Sequence, residues 1–126
     1  MVKQKGQKMI YRRKTYIVEP SFIEEFNQLF NEILLPSQLK YGARLIGRWM
    51  LDRDENHTEV FAIWEYDSYE DYERIESQIK SDQEHVMKVQ HRFDQIGRDR
   101  LNQVLKEDIR QEFVKSTVPR EKTILD

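Results

Sequence analysis

Residues 9–66 read MIYRRKTYIVEPSFIEEFNQLFNEILLPSQLKYGARLIGRWMLDRDENHTEVFAIWEY, and this stretch decides the fold. Three runs in it are rich in β-branched and aromatic residues, which predicts strands at 9–18, 43–52 and 58–67. The polar residues between the second and third runs have the length of a hairpin turn. Apolar residues recur at spacings of three and four between the first and second runs, which predicts an intervening helix. The predicted order is therefore β-α-β-β.

The remainder of the chain predicts further helices and a last strand. Apolar residues at helical spacing continue from Tyr69 to Val104. Gly97 interrupts this stretch, and the helix is expected to bend or break there because glycine costs about 1 kcal/mol relative to alanine in a helix interior. Residues 109–118 predict a fourth strand. The complete order, β-α-β-β-α-β, predicts a ferredoxin-like α+β domain at 9–118.

Several residues mark the expected ends of the helices. The S-x-x-E patterns Ser21–Glu24 and Ser81–Glu84 predict capping boxes, in which each side chain accepts a hydrogen bond from the other residue's backbone N–H. Asp67 or Ser68 is expected to cap the helix that follows the third strand. Pro36 is expected to end or kink the first helix, because it has no backbone N–H and its ring crowds the preceding turn.

The predicted sheet is apolar on both faces. Large apolar residues fall on both parities of the second and third strands, as Trp49 and Leu51 do against Met50. Helices can cover only one face of such a sheet, so the other would expose more apolar surface than a monomer normally does. Packing two of these faces together removes that surface from water. The sequence therefore predicts a homodimer.

The composition excludes several classes of protein. The chain of 126 residues corresponds to one domain, and 21 Lys and Arg against 23 Asp and Glu give a formal net charge of -2, which favours neither nucleic acid nor an anionic membrane as partner. The lack of cysteine excludes disulfides and thiolate chemistry. No apolar run approaches the roughly 18 residues of a membrane span. Residues 1–8 are expected to be a flexible lead, residues 119–126 a tail, and the compartment the cytoplasm.

A series of short words runs from the first strand to the cap of the helix after the third. The words are M-I-Y at Met9–Tyr11, T-Y at Thr15–Tyr16, E-x-F at Glu24–Phe26, L-P at Leu35–Pro36, Y-G-A at Tyr41–Ala43, L-I-G-x-W at Leu45–Trp49 and E-V-F-x-I-W-E-Y-D-S at Glu59–Ser68. In this order they resemble the NIPSNAP family. The chain departs from the family pattern after M-I-Y, where Arg12, Arg13 and Lys14 stand in place of an acidic–apolar–basic run.

The resemblance implies a dimeric α/β barrel, in agreement with the homodimer predicted from the two apolar sheet faces. The family has no established shared activity. Fold relatives include cofactor-free monooxygenases, haem-degrading enzymes and isomerases, which carry out their chemistry in a cavity between sheet and helices. Eukaryotic members associate with mitochondria, whereas this sequence has no convincing targeting segment. Because fold does not determine function, the resemblance leaves the reaction open.

Two ionisable residues are candidates for catalysis. His85 lies at the start of the long helix, where an imidazole at a cavity mouth can act as a general base or bind haem. The alternative is a partly exposed residue in a polar first turn. Glu65 is predicted to point to the sheet face opposite Trp64 and Tyr66. If that face is buried, Glu65 is either an acid or base with a shifted pKa or one half of a cross-strand ion pair with Arg13, Arg44 or Arg48.

Aromatic residues that carry polar groups suit a pocket for a flat organic ligand, and they suit a barrel core equally well. The candidates for ligand binding are Tyr11, Tyr16, Trp49, Trp64, Tyr66 and Arg92. No cofactor is predicted, although haem stays open, and the three histidines do not have the spacing of a metal site. Three functions remain: a binder of a small apolar or aromatic molecule, a cofactor-free monooxygenase or isomerase, and a non-catalytic interaction module.

Overall fold

Four strands form an antiparallel sheet in the order β2-β3-β1-β4, which confirms the predicted ferredoxin-like α+β arrangement. The computed structural model describes residues 9–123, so the predicted lead 1–8 and the last three residues of the predicted tail lie outside the described part. The strands are β1 (Ile10–Val18), β2 (Arg44–Asp54), β3 (His57–Tyr66) and β4 (Arg110–Val114). The α-helices are α1 (Ile23–Leu29), α2 (Leu35–Lys40), α3 (Tyr69–Ser81), α4 (Gln83–Ile96) and α5 (Arg98–Val104). Within residues 9–123, no helix has both the length and the apolar character needed to cross a membrane.

The core lies between the sheet and the helices, in two neighbouring clusters. Alternate residues of β3 point to the helices, and all four from Val60 to Tyr66 are buried, since side chains alternate between the faces of a strand. One cluster joins β1 and β3 to α1 and α5 around Phe22 and Phe26. The other joins β3 to α3 around Trp64 and Ile75. A gap between these clusters is where the candidate site lies.

The first helix begins differently from its prediction. Ser21 does not form a capping box with Glu24, because the helical segment already starts with a 3-10 turn at Pro20–Phe22. Proline suits the first helical position, where the backbone N–H would have no partner in any case. Ser21 therefore lies inside the first turn, and its hydroxyl donates to the carboxylate of Glu19 at 2.5 Å.

The first helix also does not end at Pro36. It widens into a π turn, Phe30–Leu34, in which the Leu35 N–H donates to the Phe30 carbonyl, and it continues as α2. In a regular α-helix the Pro36 ring would clash with the carbonyl four residues earlier. The π turn changes the hydrogen-bond register just ahead of the proline, and such turns are frequent at functional sites.

Of the two later caps predicted, the one for α3 is confirmed and the one for α4 is wrong. Ser68 accepts a hydrogen bond from the Asp71 N–H at 3.1 Å, which confirms the predicted cap of α3. The predicted box at Ser81 is wrong, because Ser81 is the last residue of α3. Asp82 caps α4 instead, with its carboxylate accepting from the His85 N–H at 3.1 Å.

Gly97 separates α4 from α5, as the predicted break requires. Its φ of +96° is a conformation that side-chain-bearing residues rarely adopt. The fourth strand is shorter than predicted and covers Arg110–Val114 rather than 109–118. Part of the predicted tail, Arg120–Lys122, forms a 3-10 turn that contacts the sheet through Arg120 and Glu65.

The sheet face without helices, which we call the open face, carries apolar side chains from β2 and β3. Trp49 and Leu51 are 47% and 44% exposed, and Phe61 and Ile63 are half-buried. The Trp49 ring packs on Phe61 at a centroid distance of 5.5 Å. It also covers Gly47, where a Cβ atom would come within 2.4 Å of the indole, so a larger residue there would displace the Trp49 ring. The prediction of apolar residues on both sheet faces is confirmed.

Candidate functional site

A cavity of about 150 Å³ lies between the middle of the sheet and the helices. Tyr16, Ala62 and Trp64 form its floor, and the π-turn residues Phe30 and Leu34 form part of its roof. The π turn therefore positions two residues of the cavity roof, and it also avoids the clash between the Pro36 ring and the preceding turn. The space is apolar on most sides and suits a small organic molecule.

Ala62 occupies the centre of the cavity floor. In the antiparallel ladders it pairs with Lys14 of β1 on one side and with Arg48 of β2 on the other. Side chains directly opposite on neighbouring strands share a face. Because the Ala62 side chain is a single methyl group, the two cations stand on either side of unfilled space.

Arg48 is a partly buried cation of the cavity lining. Its guanidinium lies over the Phe30 ring at 4.2 Å from the centroid, and its Nη1 donates to the Asn27 side-chain oxygen at 2.7 Å. Its Nη2 is buried without a hydrogen-bond partner. Burial lowers the pKa of Arg48 to about 10, because removal from water disfavours the charged form.

Arg12 lies deeper and is only 2% exposed. It stacks on the Tyr72 ring at 5.1 Å, and its Nη1 donates to Gln111 at 3.2 Å. Its one carboxylate neighbour, Glu76, is 3.7 Å away, and its Nε is buried without a partner. The hydrogen bonding of this buried guanidinium is therefore incomplete, which is costly.

His85 reaches the same cavity from the first turn of α4. Burial lowers the pKa of its imidazole, and nearby Lys88 and Lys40 act in the same direction, while Asp82 opposes them. The imidazole is therefore neutral near pH 7 and has one nitrogen able to accept a proton. Of the two alternatives left open by the sequence, a residue at a cavity mouth and a partly exposed residue in a polar first turn, the structure has features of both: His85 is half-buried in the first turn of α4 and lines the cavity.

Glu65 lies on the open face, away from the cavity, and is 1% exposed. Its carboxylate accepts hydrogen bonds from Arg44 at 2.6 Å, Tyr11 at 2.8 Å and Arg120 at 2.5 Å. Burial alone would raise the pKa of Glu65, but these donors outweigh it and lower the pKa to about 2. Glu65 therefore stays ionised and pairs with Arg44 across the strands. Of the two roles that the sequence allowed, this geometry fits the structural ion pair and not the acid or base.

Comparison with known proteins assigns the chain to a family. The NIPSNAP family model matches residues 11–109. The chain belongs to the NIPSNAP family. A search among curated proteins gave no match.

Solved NIPSNAP structures share the fold of this chain. A NIPSNAP family protein from Agrobacterium tumefaciens superposes with a TM-score of 0.63 at 21% identity, covering 87% of each chain. An uncharacterised NIPSNAP-like domain protein from Burkholderia xenovorans gives a TM-score of 0.63 at 23% identity, covering 88% of this chain and 89% of that one. A protein from Caulobacter crescentus, provisionally named an antibiotic biosynthesis monooxygenase, gives 0.51 at 15% identity over 89% and 92% of the two chains. These likenesses establish the fold, and fold alone does not assign a reaction.

The structure brings together only some of the ligand-binding residues predicted for this NIPSNAP chain. Tyr16 and Trp64 line the cavity. Tyr66 lies beside it on the same sheet face, with the Arg12 guanidinium 5.7 Å from its ring. The remaining three lie elsewhere: Tyr11 and Trp49 on the open face and Arg92 on the surface of α4, where it pairs with Glu32 at 3.0 Å.

Sequence reasoning did not select Arg12, Lys14 or Arg48 as site residues of this NIPSNAP domain. A signal existed for two of them, because Arg12 and Lys14 share the parity of Tyr16, a predicted ligand-binding residue on the same strand. These two positions also belong to the run in which the sequence departs from the family pattern. In the part of the chain that the structure describes, no group of three or more His, Asp or Glu residues is arranged to hold a metal ion.

Proposed function

We propose that the protein is a cytoplasmic homodimer that binds a small apolar or aromatic molecule in the cavity beneath the π turn. The observation that carries this proposal is the cavity itself, about 150 Å³ of space bounded by Trp64, Phe30 and Leu34. Protein interiors are close-packed and contain few voids larger than a water molecule. An apolar cavity of about 150 Å³ in a protein core binds benzene or xenon, so one aromatic ring fits this space. A barrel filled by its own rings, as an interaction module would have, would leave no such room.

The homodimer is supported by the open face. Trp49 and Leu51 are exposed there beside the half-buried Phe61 and Ile63, whereas the opposite face of the sheet packs against helices. A contiguous apolar surface of this kind is expected to be covered in solution. A second copy offers an identical, self-complementary face and covers it by sheet-on-sheet packing.

The binding function is tested by thermal unfolding with and without benzene. Benzene is expected to raise the melting temperature, because a ligand that binds only the folded state stabilises it. Ala62→Leu extends a side chain into the cavity floor and is expected to abolish the rise. Ile63→Leu, on the adjacent residue of the opposite face, is the matched control and should retain it. A parent protein that responds to none of saturating benzene, benzamide and benzoate would contradict the binding proposal.

The oligomeric state is tested by native mass spectrometry of the purified protein. A dimer mass with a retained small molecule would support both parts of the proposal and identify the ligand class directly. A monomer would contradict the dimer while leaving the cavity experiment to be judged alone.

A second candidate is an enzyme, a cofactor-free monooxygenase or isomerase, that uses His85 on a molecule bound in the same cavity. The specific observation in its favour is a neutral imidazole on the cavity lining, which suits a general base near pH 7. Once a substrate is found, His85→Gln is expected to abolish turnover, whereas His91→Gln on the exposed side of the same helix should not. Unchanged turnover in His85→Gln would remove this residue from the mechanism.

A further inference from the structure

We propose that the molecule bound in the cavity is a small aromatic or branched aliphatic carboxylate, whose negative charge lies between Lys14 and Arg48. This inference rests on the proposed function, since it names the chemical class of the ligand for the same cavity. Three cationic side chains, Arg12, Lys14 and Arg48, line the space, and the lining residues within 9–123 include no carboxylate. A cavity with that imbalance selects an anion.

The position of the charge follows from the strand register. Lys14 and Arg48 are the two cross-strand neighbours of Ala62, one from each side. A carboxylate above the Ala62 methyl group is therefore approached by a cation on either side. The apolar body of the same molecule then extends to Trp64 and the Phe30 ring of the roof.

Arg48 lacks the partner that a carboxylate would provide. Its contacts are the uncharged Asn27 side chain and the rings of Phe26 and Phe30, and none of the described carboxylates forms an ion pair with it. Its Nη2 remains a buried donor without an acceptor. Both deficits, the missing counter-charge and the missing acceptor, are met by one carboxylate group, because guanidinium and carboxylate match in geometry.

Arg12 and Lys14 add to the imbalance. Arg12 is 2% exposed and its Nε is unpaired, and among residues 9–123 the one carboxylate that pairs with it is Glu76, 3.7 Å from Nη2. Lys14 forms no ion pair with a carboxylate among the described residues and lies 5.8 Å from the centroid of the Tyr16 ring. Arg12 thus has one ion-pair partner, whereas Lys14 and Arg48 have none among the described residues. A buried donor without an acceptor calls for an explanation, and a bound anion supplies one.

The test compares benzoate with benzamide, which has the same ring and nearly the same shape but no charge. Their affinities for the full-length protein are measured by isothermal titration calorimetry. Benzoate is expected to bind at least about 10-fold more tightly than benzamide, the factor typical of a charge-assisted hydrogen bond. Arg48→Met and Lys14→Met are each expected to weaken benzoate by about 10-fold or more while changing benzamide little. Arg13→Met, which removes a charge from the opposite face of β1, is the control and should leave both affinities unchanged.

The outcomes separate this inference from the proposed function. Equal affinities for benzoate and benzamide would overturn the carboxylate and leave the aromatic-binding function standing. A preference for benzoate that persists in both Arg48→Met and Lys14→Met would overturn the assigned position of the charge. The lack of binding by benzoate, benzamide and benzene alike would overturn both proposals. Lys14→Met keeps the test decisive if Arg48→Met does not fold, because Lys14 is only half-buried.

Discussion

Replacement of Glu65 by glutamine gives a sharp test of the electrostatics on the open face. The substitution keeps the side-chain shape and removes the negative charge that Arg44, Tyr11 and Arg120 share. Burial opposes ionisation, but the three donors together lower the pKa of Glu65 from 4.5 to about 2. At about 1.36 kcal/mol per pKa unit, this lowering corresponds to roughly 3 kcal/mol of stability. The two guanidinium groups are 39% and 42% exposed. Water therefore screens part of the interaction, and we expect about 2 to 3 kcal/mol.

The pH dependence has a definite sign. Since the folded-state pKa of Glu65 lies below the unfolded value, its contribution is fully present above about pH 4.5 and is lost as the pH falls towards about 2. Urea unfolding of the parent and of Glu65→Gln, at one fixed protein concentration, should therefore differ by about 2 to 3 kcal/mol near neutral pH and converge in acid. The comparison cancels the titration of other carboxylates that both proteins share.

The matched control is Glu112→Gln, on the same sheet face. Glu112 pairs with Arg13 at 2.9 Å, but both side chains are more than 40% exposed, so its loss should cost less than about 1 kcal/mol. Two results would refute the reasoning about Glu65. One is a Glu65→Gln effect no larger than that of Glu112→Gln, and the other is an effect that stays constant from neutral to acid pH.

Three further predictions concern the open face and the helix boundaries. Ile63→Asp is expected to convert the proposed dimer to a monomer in size-exclusion chromatography with light scattering, because it would place an unpaired charge between the two sheets; a dimer of unchanged mass would count against the open-face interface. Ser68→Ala should lower the free energy of unfolding by about 1 kcal/mol through loss of the hydrogen bond to the Asp71 N–H, and urea unfolding with no change would show that the cap contributes nothing. Gly97→Ala should lower the free energy of unfolding by about 1 to 3 kcal/mol through backbone strain at positive φ. Open space surrounds the position where the Cβ would lie, so a steric clash does not contribute. A variant as stable as the parent in urea unfolding would refute that account.

The strands and the order of elements were predictable because their signals are local. Alternating and helical apolar spacings depend only on residues a few positions apart, and Gly97 and Ser68 act on their own turns. The failures arose where two local signals competed. Pro20 starts the first turn before Ser21 can cap it, and Asp82 caps α4 from one position beyond Ser81. The residue that caps a helix is the one at which the backbone enters the helical conformation. The sequence pattern alone does not show which of two neighbouring cap candidates holds that position.

The candidate site was only partly predictable, because the pairing register of the strands brings Lys14 and Arg48 to the same residue, Ala62. Tyr16, Trp64 and His85 could be selected from residue type and position. Arg48 could not be selected in this way, because an irregularity in β2 between Leu45 and Gly47 changes which residues face the helices. Leu45 pairs with Trp64 and Arg48 with Ala62, so two residues of opposite parity share one face. Strict alternation along the sequence would have placed Arg48 on the open face.

The π turn at Phe30–Leu34 also bears on how this chain should be aligned with its relatives. A π turn contains about one residue more than the corresponding α-helical turn. Removal of a single residue there would restore a regular helix only if Pro36 were replaced as well, because its ring would otherwise clash with the carbonyl four residues earlier. The same deletion within α1 would rotate everything after it by about 100°. A one-residue gap at 30–34 together with the loss of Pro36 would thus preserve the fold while reshaping the cavity roof. Chain length at that one turn is therefore expected to change with the shape of the cavity roof.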